Sequence, residues 1–279
     1  MTGPYRAREE FGARLRRLRE DSGLNGKQLA AVLSWPHSKV SKLELGQQRP
    51  TAEEVAAWAE ATGVGADLED LLSDLRSLRV ESAPWRRQLR GGHARRQRAS
   101  LGLEASASLI RAFEPAVIPG LLQTADYARQ VLARLAALHQ LPTDIEQGVR
   151  TRMRRQQVLY EPDKQLRFLI TEAALRYRPC PPATLRGQLD RLLAVSGLDT
   201  VSLAILPFDA ELPMTTSHGF WIFDDRLVLV ETLSSEISLR DREDIELYVR
   251  HFEALWQAAL TGAEAPRFLT DMLVALGES

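Results

Sequence analysis

The chain has 279 residues, a formal net charge of −1, 44% hydrophobic residues and 26% charged residues, which is typical of soluble globular proteins. It lacks the run of about 20 apolar residues that spans a bilayer and has no signal-peptide pattern at its N-terminus, so we expect a cytoplasmic protein. Its single cysteine, Cys180, excludes an intrachain disulfide and a cysteine metal cage.

The small net charge conceals two basic blocks. Residues 1–50 carry ten Lys or Arg and five Asp or Glu, and residues 76–100 carry eight Arg and one Glu. Binding to DNA depends on local positive charge and not on the net charge of the whole chain. Both blocks therefore have the local positive charge that a DNA-binding surface needs.

Two helices are predicted before residue 34. The first covers residues 11–22, where apolar residues recur at helical spacing, and Gly23 is a typical helix stop. The second covers residues 25–33, with Asn25 as its N-cap and Gln28 at the capping-box position.

Three further helices are predicted after a proline-containing break. The third covers residues 36–45, and the fourth begins after Thr51, with Glu54 as its capping-box partner. A leucine stripe predicts the fifth helix over residues 67–82. Residues 1–82 are thus predicted to form an all-α domain of five helices, and its second and third helices predict that this domain binds DNA.

The second and third helices have the buried positions of a helix-turn-helix. This motif crosses two short helices at a steep angle, which fixes the spacing of the apolar residues. In the second helix, Leu29 and Leu33 occupy the buried positions, and in the third helix Val40 and Leu43 do so. The small Ala30 lies where the two helices cross. The pattern predicts that the third helix enters the major groove of DNA.

The outward face of that helix carries cationic side chains and short hydrogen-bond donors, which suit base edges and phosphates. We predict base contacts from His37, Ser38 and Lys42. We predict phosphate contacts from Lys27, Gln28, Trp35, Lys39, Ser41, Gln47 and Arg49. Double-stranded DNA is the partner that this face implies.

Residues 10–75 resemble the XRE, or phage-repressor, class of helix-turn-helix domains. The resemblance rests on Gln-Leu-Ala at 28–30, Ser-Lys-Val-Ser-Lys-Leu-Glu-Leu-Gly at 38–46 and Arg-Pro-Thr at 49–51. In that class an arginine of the first helix pairs with a glutamate near the end of the recognition helix. The resemblance therefore implies a largely buried structural ion pair between Arg19 and Glu44.

A polar, arginine-rich and glycine-containing segment at 83–102 is interpreted as a basic junction, either adding phosphate contacts or forming a solvated linker. Beyond it, amphipathic helices and strands rich in β-branched and aromatic residues alternate over residues 103–279. We predict an α+β domain with a small, largely antiparallel sheet.

This second region resembles actinobacterial regulators of the WhiJ type over residues 105–270. The resemblance rests on several segments: Phe-Glu-Pro at 113–115, Pro-Gly-Leu-Leu-Gln-Thr at 119–124, Tyr-Ala-Arg at 127–129, Arg-Met-Arg-Arg-Gln at 152–156, Glu-Ala-Ala-Leu-Arg at 172–176, Gln-Leu at 188–189 and the strand from 201 to Leu-Pro-Phe at 206–208. It implies a domain without assigned chemistry, whose relatives respond to or bind a small protein encoded nearby in an antitoxin-like manner.

Signals of catalysis are weak. We find no phosphate-binding loop, nucleophile elbow or zinc motif, and therefore expect no catalytic residue, metal or cofactor, and no enzyme. The candidates for a catalytic site are His218, Cys180 and an acidic group of Glu172, Glu231 and Glu236. Each is interpreted more simply as a structural or solvent-exposed residue. An anion clamp at Arg152, Arg154 and Arg155 is a further alternative to a solvated helix face.

The leading hypothesis is a homodimeric, sequence-specific transcriptional regulator whose second domain dimerises and senses a small partner protein or a ligand. One rival is an antitoxin-like module that neutralises a small partner and binds DNA for autoregulation. A second rival is an enzyme with a DNA-binding head, which would require a converging polar cluster in a deep pocket of the second domain.

Overall fold

The first of two units, Met1–Ser82, consists of short helices around one apolar core. A computed structural model describes residues 4–77, 81–89, 92–140 and 144–277 of the chain. The helices of the first unit are α1 (Pro4–Asp21), α2 (Gly26–Val32), α3 (His37–Glu44), α4 (Ala52–Thr62) and α5 (Leu68–Ser77), with a 3-10 turn at Gly65–Asp67 before α5.

The capping chemistry predicted for α2 and α4 is present. The Asn25 side chain accepts the backbone N–H of Gln28 while the Gln28 side chain accepts that of Asn25, and Thr51 and Glu54 make the same reciprocal pair. Between α2 and α3, Ser34 adopts a positive φ of 55°, which residues other than glycine and asparagine rarely do. This turn brings α3 across α2, with the Trp35 N–H donating to the Ala30 carbonyl at 2.9 Å.

The predicted inner positions form the core of this unit. Leu15 of α1, Leu29 of α2, Leu43 of α3 and Trp58 of α4 are fully or almost fully buried together. Gly12 allows α1 to pass directly over the end of α3, because a β-carbon there would lie 2.6 Å from the Leu43 and Glu44 carbonyl oxygens. The helix α1 begins at Pro4 and not at the predicted residue 11, so it is longer than the sequence pattern indicated.

The second unit, Ala83–Ser279, is an α+β domain, and the predicted fold class of the chain is confirmed. Its helices are α6 (Trp85–Gln88), α7 (His93–Ser106), α8 (Ala125–His139), α9 (Ile145–Arg155), α10 (Glu172–Arg176), α11 (Pro182–Ser196), α12 (Arg242–Gln257) and α13 (Glu264–Gly277). Turns of 3-10 helix cover Gly120–Leu122 and Gln156–Tyr160.

A seven-stranded sheet runs through the domain. Its strands are β1 (Glu81–Pro84), within which the division of the chain falls, β2 (Leu109–Glu114), β3 (Gln165–Thr171), β4 (Val201–Leu206), β5 (Phe220–Phe223), β6 (Leu227–Glu231) and β7 (Ser235–Leu239). The spatial order is β1-β7-β6-β5-β2-β3-β4. The pairs β2–β5, β5–β6 and β6–β7 are antiparallel, whereas β2–β3 and β3–β4 are parallel.

Both faces of the central strands are covered, as parallel strands require. Along β3, Phe168 and Ile170 enter a core shared with α11 and α13, while Leu169 on the opposite face enters a core shared with α12. This alternation follows the two-residue period of a strand. It fixes the register of the sheet between two helical layers.

The segment that we interpreted as a basic junction is part of the second unit. Trp85, Leu89, His93 and Ala94 are at least 95% buried, and α7 packs against α9. The indole N–H of Trp85 donates to the Thr232 carbonyl at 2.7 Å. The linker interpretation of residues 83–102 is therefore wrong for the part that the structure describes, because its apolar residues lie at inward positions among the arginines.

Two other boundaries differ from the predictions. The fifth helix, expected to cover residues 67–82, is described over Leu68–Ser77, and Glu81–Pro84 is a strand and not the end of that helix. The strand β7 was not predicted, since most of its residues are only half-buried and give no clear alternation. Among the described helices, none combines the length and the apolar character needed to cross a membrane.

Candidate nucleic-acid interface

The helix α3 presents the three side chains predicted to contact bases. His37, Ser38 and Lys42 are all exposed. Within the described ranges, the side chains of Ser38 and Lys42 make no ion pair or hydrogen bond with the protein, so their donors are available to a ligand. The imidazole of His37 lies over Gly26, where a β-carbon would come within 3.3 Å of its Nε2 atom.

Most of the predicted phosphate contacts surround this helix. Lys27 and Gln28 are exposed at the start of α2, and Gln47 and Arg49 are exposed in the turn after α3, whereas Ser41 is half-buried. The side-chain oxygen of Gln28 accepts from the Asn25 N–H at 2.8 Å, which leaves its amide N–H groups as donors.

Two of the predicted phosphate contacts have structural partners instead. The Lys39 ammonium lies 2.6 Å from Glu54 Oε1 and 4.1 Å from the centre of the Trp35 ring. Trp35 is half-buried and packs on Trp58, with 6.3 Å between the ring centres. We therefore correct the assignment of Lys39 and Trp35, because salt-bridge and cation–π contacts within the unit engage both side chains.

Arg19 and Glu44 lie in contact between α1 and α3. Arg19 Nε donates to Glu44 Oε1 at 2.5 Å, Nη2 reaches Oε2 at 3.2 Å, and Nη1 donates to the Leu24 carbonyl at 2.8 Å. The two side chains are 9% and 12% exposed. This two-pronged contact holds the C-terminal end of the recognition helix against the scaffold.

The catalytic alternatives in the second unit do not form one cluster. His218 Nε2 bonds the Tyr248 hydroxyl at 2.9 Å. Burial raises the pKa of the Cys180 thiol above its ordinary value, which opposes formation of the reactive thiolate.

The three glutamates that we considered as one acidic group are divided between two places. Glu172 pairs with Arg176 at 2.5 Å and accepts the Phe208 N–H at 2.9 Å. Glu231 and Glu236 are cross-strand partners that both contact Arg96. Arg96 therefore bridges Glu231 and Glu236, and the three glutamates do not form one acidic group.

Known protein families match both units. Residues 10–72 match the model of a helix-turn-helix domain, and residues 97–271 match the model of a domain of unknown function, DUF5753. The first unit is thus a helix-turn-helix domain, the class of module that inserts a recognition helix into DNA. Because the second match covers more than half of the chain, the protein belongs to the DUF5753 family.

Similarity beyond these families is slight. No curated protein matches the chain. Among solved structures, it is similar to the archaeal chromatin protein TrmBL2, described as showing a novel mode of DNA binding. That similarity has 13% sequence identity and a TM-score of 0.33, and covers 85% of this chain and 87% of the other.

Proposed function

We propose that this protein is a sequence-specific transcriptional regulator of the XRE class and the WhiJ type. The observation that carries the proposal is the exposed group of His37, Ser38 and Lys42 on α3, a helix held from behind by the Arg19–Glu44 pair. Recognition needs donors free of protein partners on a helix that does not shift, and α3 meets both requirements.

The dimensions and charge of α3 suit the major groove. An α-helix with its side chains is about 10–12 Å across, which fits the groove width of about 12 Å, and α3 has eight residues to place along the groove. Lys27 at the start of α2 and Gln47 after α3 flank the helix and suit the phosphates on its two sides.

The proposal includes a homodimer, because helix-turn-helix proteins gain affinity by binding two half-sites about one DNA turn apart. We propose a cytoplasmic, non-enzymatic protein in which the second domain senses a ligand or a small partner protein encoded nearby. In the antitoxin-like alternative, the same domain neutralises that partner, which would then co-purify with this chain in a stable complex.

A selection from random duplexes with the full-length protein tests the proposal. We expect one sequence to be enriched, and Lys42→Ala to weaken binding to it by about 1–3 kcal/mol if Lys42 reads a base. If Lys42 contacts only phosphate, the loss should be similar for all sequences and the dependence on salt should become shallower.

Arg242→Ala is the matched control, because it removes one positive charge from a side chain that is 90% exposed in the second unit. We expect this variant to bind the selected duplex as the wild type does. Failure to enrich any sequence, or equal losses from both substitutions, would contradict sequence-specific binding through α3.

A further inference from the structure

The second unit contains a cavity of about 320 Å³ between the sheet and the helices α6 to α9. One part of its wall is aromatic and comprises Trp85, Trp221 and Phe223, while charged and amide side chains face it from α7 and α9. Small-molecule sites have volumes of roughly 300–1,000 Å³. The cavity therefore has the size of a small metabolite and is too small for a dinucleotide.

Arg152 is the unusual side chain in this wall. Its Nη1 donates to Gln123 Oε1 at 2.6 Å and its Nε to Gln97 Oε1 at 3.3 Å. Within the described ranges, no carboxylate lies within ion-pair distance of its guanidinium. Burial, followed by the neighbouring Arg155, lowers the pKa of Arg152 to about 10, so the group stays charged at neutral pH without an ion-pair partner among the described residues.

The two neighbouring arginines are neutralised, in contrast to Arg152. Arg155 Nε donates to Glu104 Oε2 at 2.9 Å, and both side chains are more than 90% buried. Arg96 contacts Glu236 and Glu231. The protein thus supplies carboxylates to two of the three arginines at the cavity and leaves the third with amide oxygens alone.

Glu114 also lies at the cavity but does not neutralise Arg152. Its Oε1 accepts the Trp221 indole N–H at 2.9 Å. Burial, reinforced by the charge of Glu231, raises the pKa of Glu114 to about 8. The carboxyl is therefore mostly protonated at neutral pH and can donate a hydrogen bond.

A second polar group at the cavity lacks a partner. His93 is 2% exposed, and its Nε2 has no hydrogen-bond partner among the described residues. Burial lowers the pKa of His93, so the imidazole is neutral. A buried polar atom without a partner is costly, and His93 adds a neutral side chain, not a charge, to the lining of the cavity.

The contacts behind Arg152 hold it in place before any ligand arrives. The Gln123 side-chain amide donates to the Ile118 carbonyl at 2.7 Å, which points its oxygen at Arg152. The Gln123 carbonyl in turn accepts from the Gln156 amide at 2.5 Å. Two of the sequence segments that carry the resemblance of this domain, 119–124 and 152–156, thus meet in one network at the cavity.

We infer that this cavity binds a small organic acid, with its carboxylate on Arg152 and a flat, apolar body against the aromatic wall. A single carboxylate suits the one arginine of the cavity that lacks an ion-pair partner, and a guanidinium fork matches its two oxygens. A dianionic phosphate would bring two negative charges to this one guanidinium, near the carboxylates of Glu231 and Glu104. The rings of Trp85, Trp221 and Phe223 supply faces for stacking.

The site also indicates how binding would reach the rest of the chain. Trp85, Leu89 and His93 follow within about ten residues of the division between the units. A ligand held against these side chains stabilises the segment that leads out of the DNA-binding unit. This regulatory step rests on the proposed function, whereas occupation of the cavity does not.

Calorimetry and indole fluorescence on the full-length protein test the inference. The probes are benzoate, phenylacetate and indole-3-acetate, each compared with its neutral amide and with inorganic phosphate. We expect saturable binding of at least one of the acids, at least tenfold weaker binding of its amide, and no competition by phosphate. Binding should quench the fluorescence of Trp85 or Trp221.

Variants in α9 assign the site. Arg152→Gln should weaken binding of the acid at least tenfold. Arg152→Lys keeps the positive charge and should weaken binding less. The lysine variant also tests the site if the glutamine variant fails to fold. Arg154→Gln removes an exposed arginine of the same helix and should bind as the wild type does. The inference is overturned if no acid binds, if acid and amide bind equally, if phosphate binds preferentially or if Arg152→Gln binds normally.

Retention on the selected duplex, measured with and without the bound acid, separates this inference from the proposed function. A protein that binds DNA but no acid refutes the inference and leaves the proposed function intact. A protein that binds the acid but selects no DNA sequence supports the inference and refutes the proposed function. An acid that binds without changing DNA affinity overturns only the regulatory step.

Discussion

The two units place their charges in opposite ways. In the first, Lys42 and other polar side chains of α3 point outward, and the buried Arg19 is neutralised by Glu44. In the second, arginines and glutamates converge on a cavity, where Arg152 has no carboxylate partner and Glu114 is protonated. An outward-facing surface suits a large polyanion, whereas an inward-facing site suits one small molecule.

The difference predicts how each unit responds when a charge is removed. Removing one member of a buried ion pair leaves the other charge buried and uncompensated, so the loss should be destabilising. A buried charge or carboxyl kept for a ligand carries a cost in the free protein, so its neutral replacement should be tolerated or stabilising. The predictions below test this contrast.

The largest effect is expected at the Arg19–Glu44 pair. Removing either partner, as in Arg19→Ala or Glu44→Ala, leaves a charge that is about 90% shielded from solvent, and should lower the free energy of unfolding by about 3 kcal/mol. The double variant should lose less than the sum of the two single losses. Urea denaturation of all four proteins measures this coupling.

Arg16→Ala provides the comparison for an exposed pair. Arg16 contacts Glu20 one helical turn away at 2.8 Å, and both side chains are about half-exposed or more. We expect its loss to cost less than about 0.5 kcal/mol. Additive losses at positions 19 and 44 would mean that the two charges do not stabilise each other.

A smaller effect, dependent on pH, is expected at Glu114. Its pKa of about 8 in the folded protein exceeds the ordinary value of 4.5, so the folded state holds a proton that the unfolded chain has lost. Stability should fall as the pH rises from about 4.5 to 8 and then level off. The full difference between the two pKa values corresponds to a loss of roughly 5 kcal/mol in the free energy of unfolding. We expect a loss of about 2 kcal/mol, because the carboxyl is only half-buried beside the cavity.

Glu114→Gln should remove this dependence, since the amide cannot ionise and still accepts the Trp221 N–H. Near pH 5 the variant and the wild type should melt at similar temperatures, and at pH 9 the variant should be the more stable. The groups around Glu114 are Glu231 on β6, Trp221 on β5 and Arg152 on α9, and all three are unchanged by the substitution. Parallel stability curves from pH 5 to 9 would contradict a protonated Glu114.

The helix-turn-helix could be predicted from the sequence because its determinants are local. The caps at Asn25 and Thr51 and the buried positions of α2 and α3 lie within about 30 residues and follow helical periodicity. The exposure of Lys42 follows from the same periodicity. The engagement of Lys39 does not, because its partner Glu54 belongs to a helix whose orientation the pattern leaves open.

The cavity could not be predicted, because its walls come from segments far apart in the chain. Gln97 and Arg152 are separated by 55 residues, and Glu114 and Trp221 by 107. The sequence left the arginines of α9 open between an anion clamp and a solvated helix face. Only the sheet order, with β5 next to β2, brings Trp221 beside Glu114. The parallel pairing of β2 with β3 and of β3 with β4 went unpredicted for the same reason, since pairing partners leave no local pattern.

The smallest effect is expected at Ser34, where the local rules themselves are tested. Its φ of 55° costs an L-residue roughly 1–2 kcal/mol, and glycine avoids this cost while losing about 0.5–1 kcal/mol to the greater freedom of the unfolded chain. Ser34→Gly should therefore stabilise the first unit by about 0.5 kcal/mol, measured by urea denaturation. Ser73→Gly, at an exposed position within α5, should be destabilising by a similar amount, because glycine disfavours a helix interior. If both variants are destabilised, the turn before α3 does not strain Ser34, and the order of the recognition helix depends on the Arg19–Glu44 pair and the core instead.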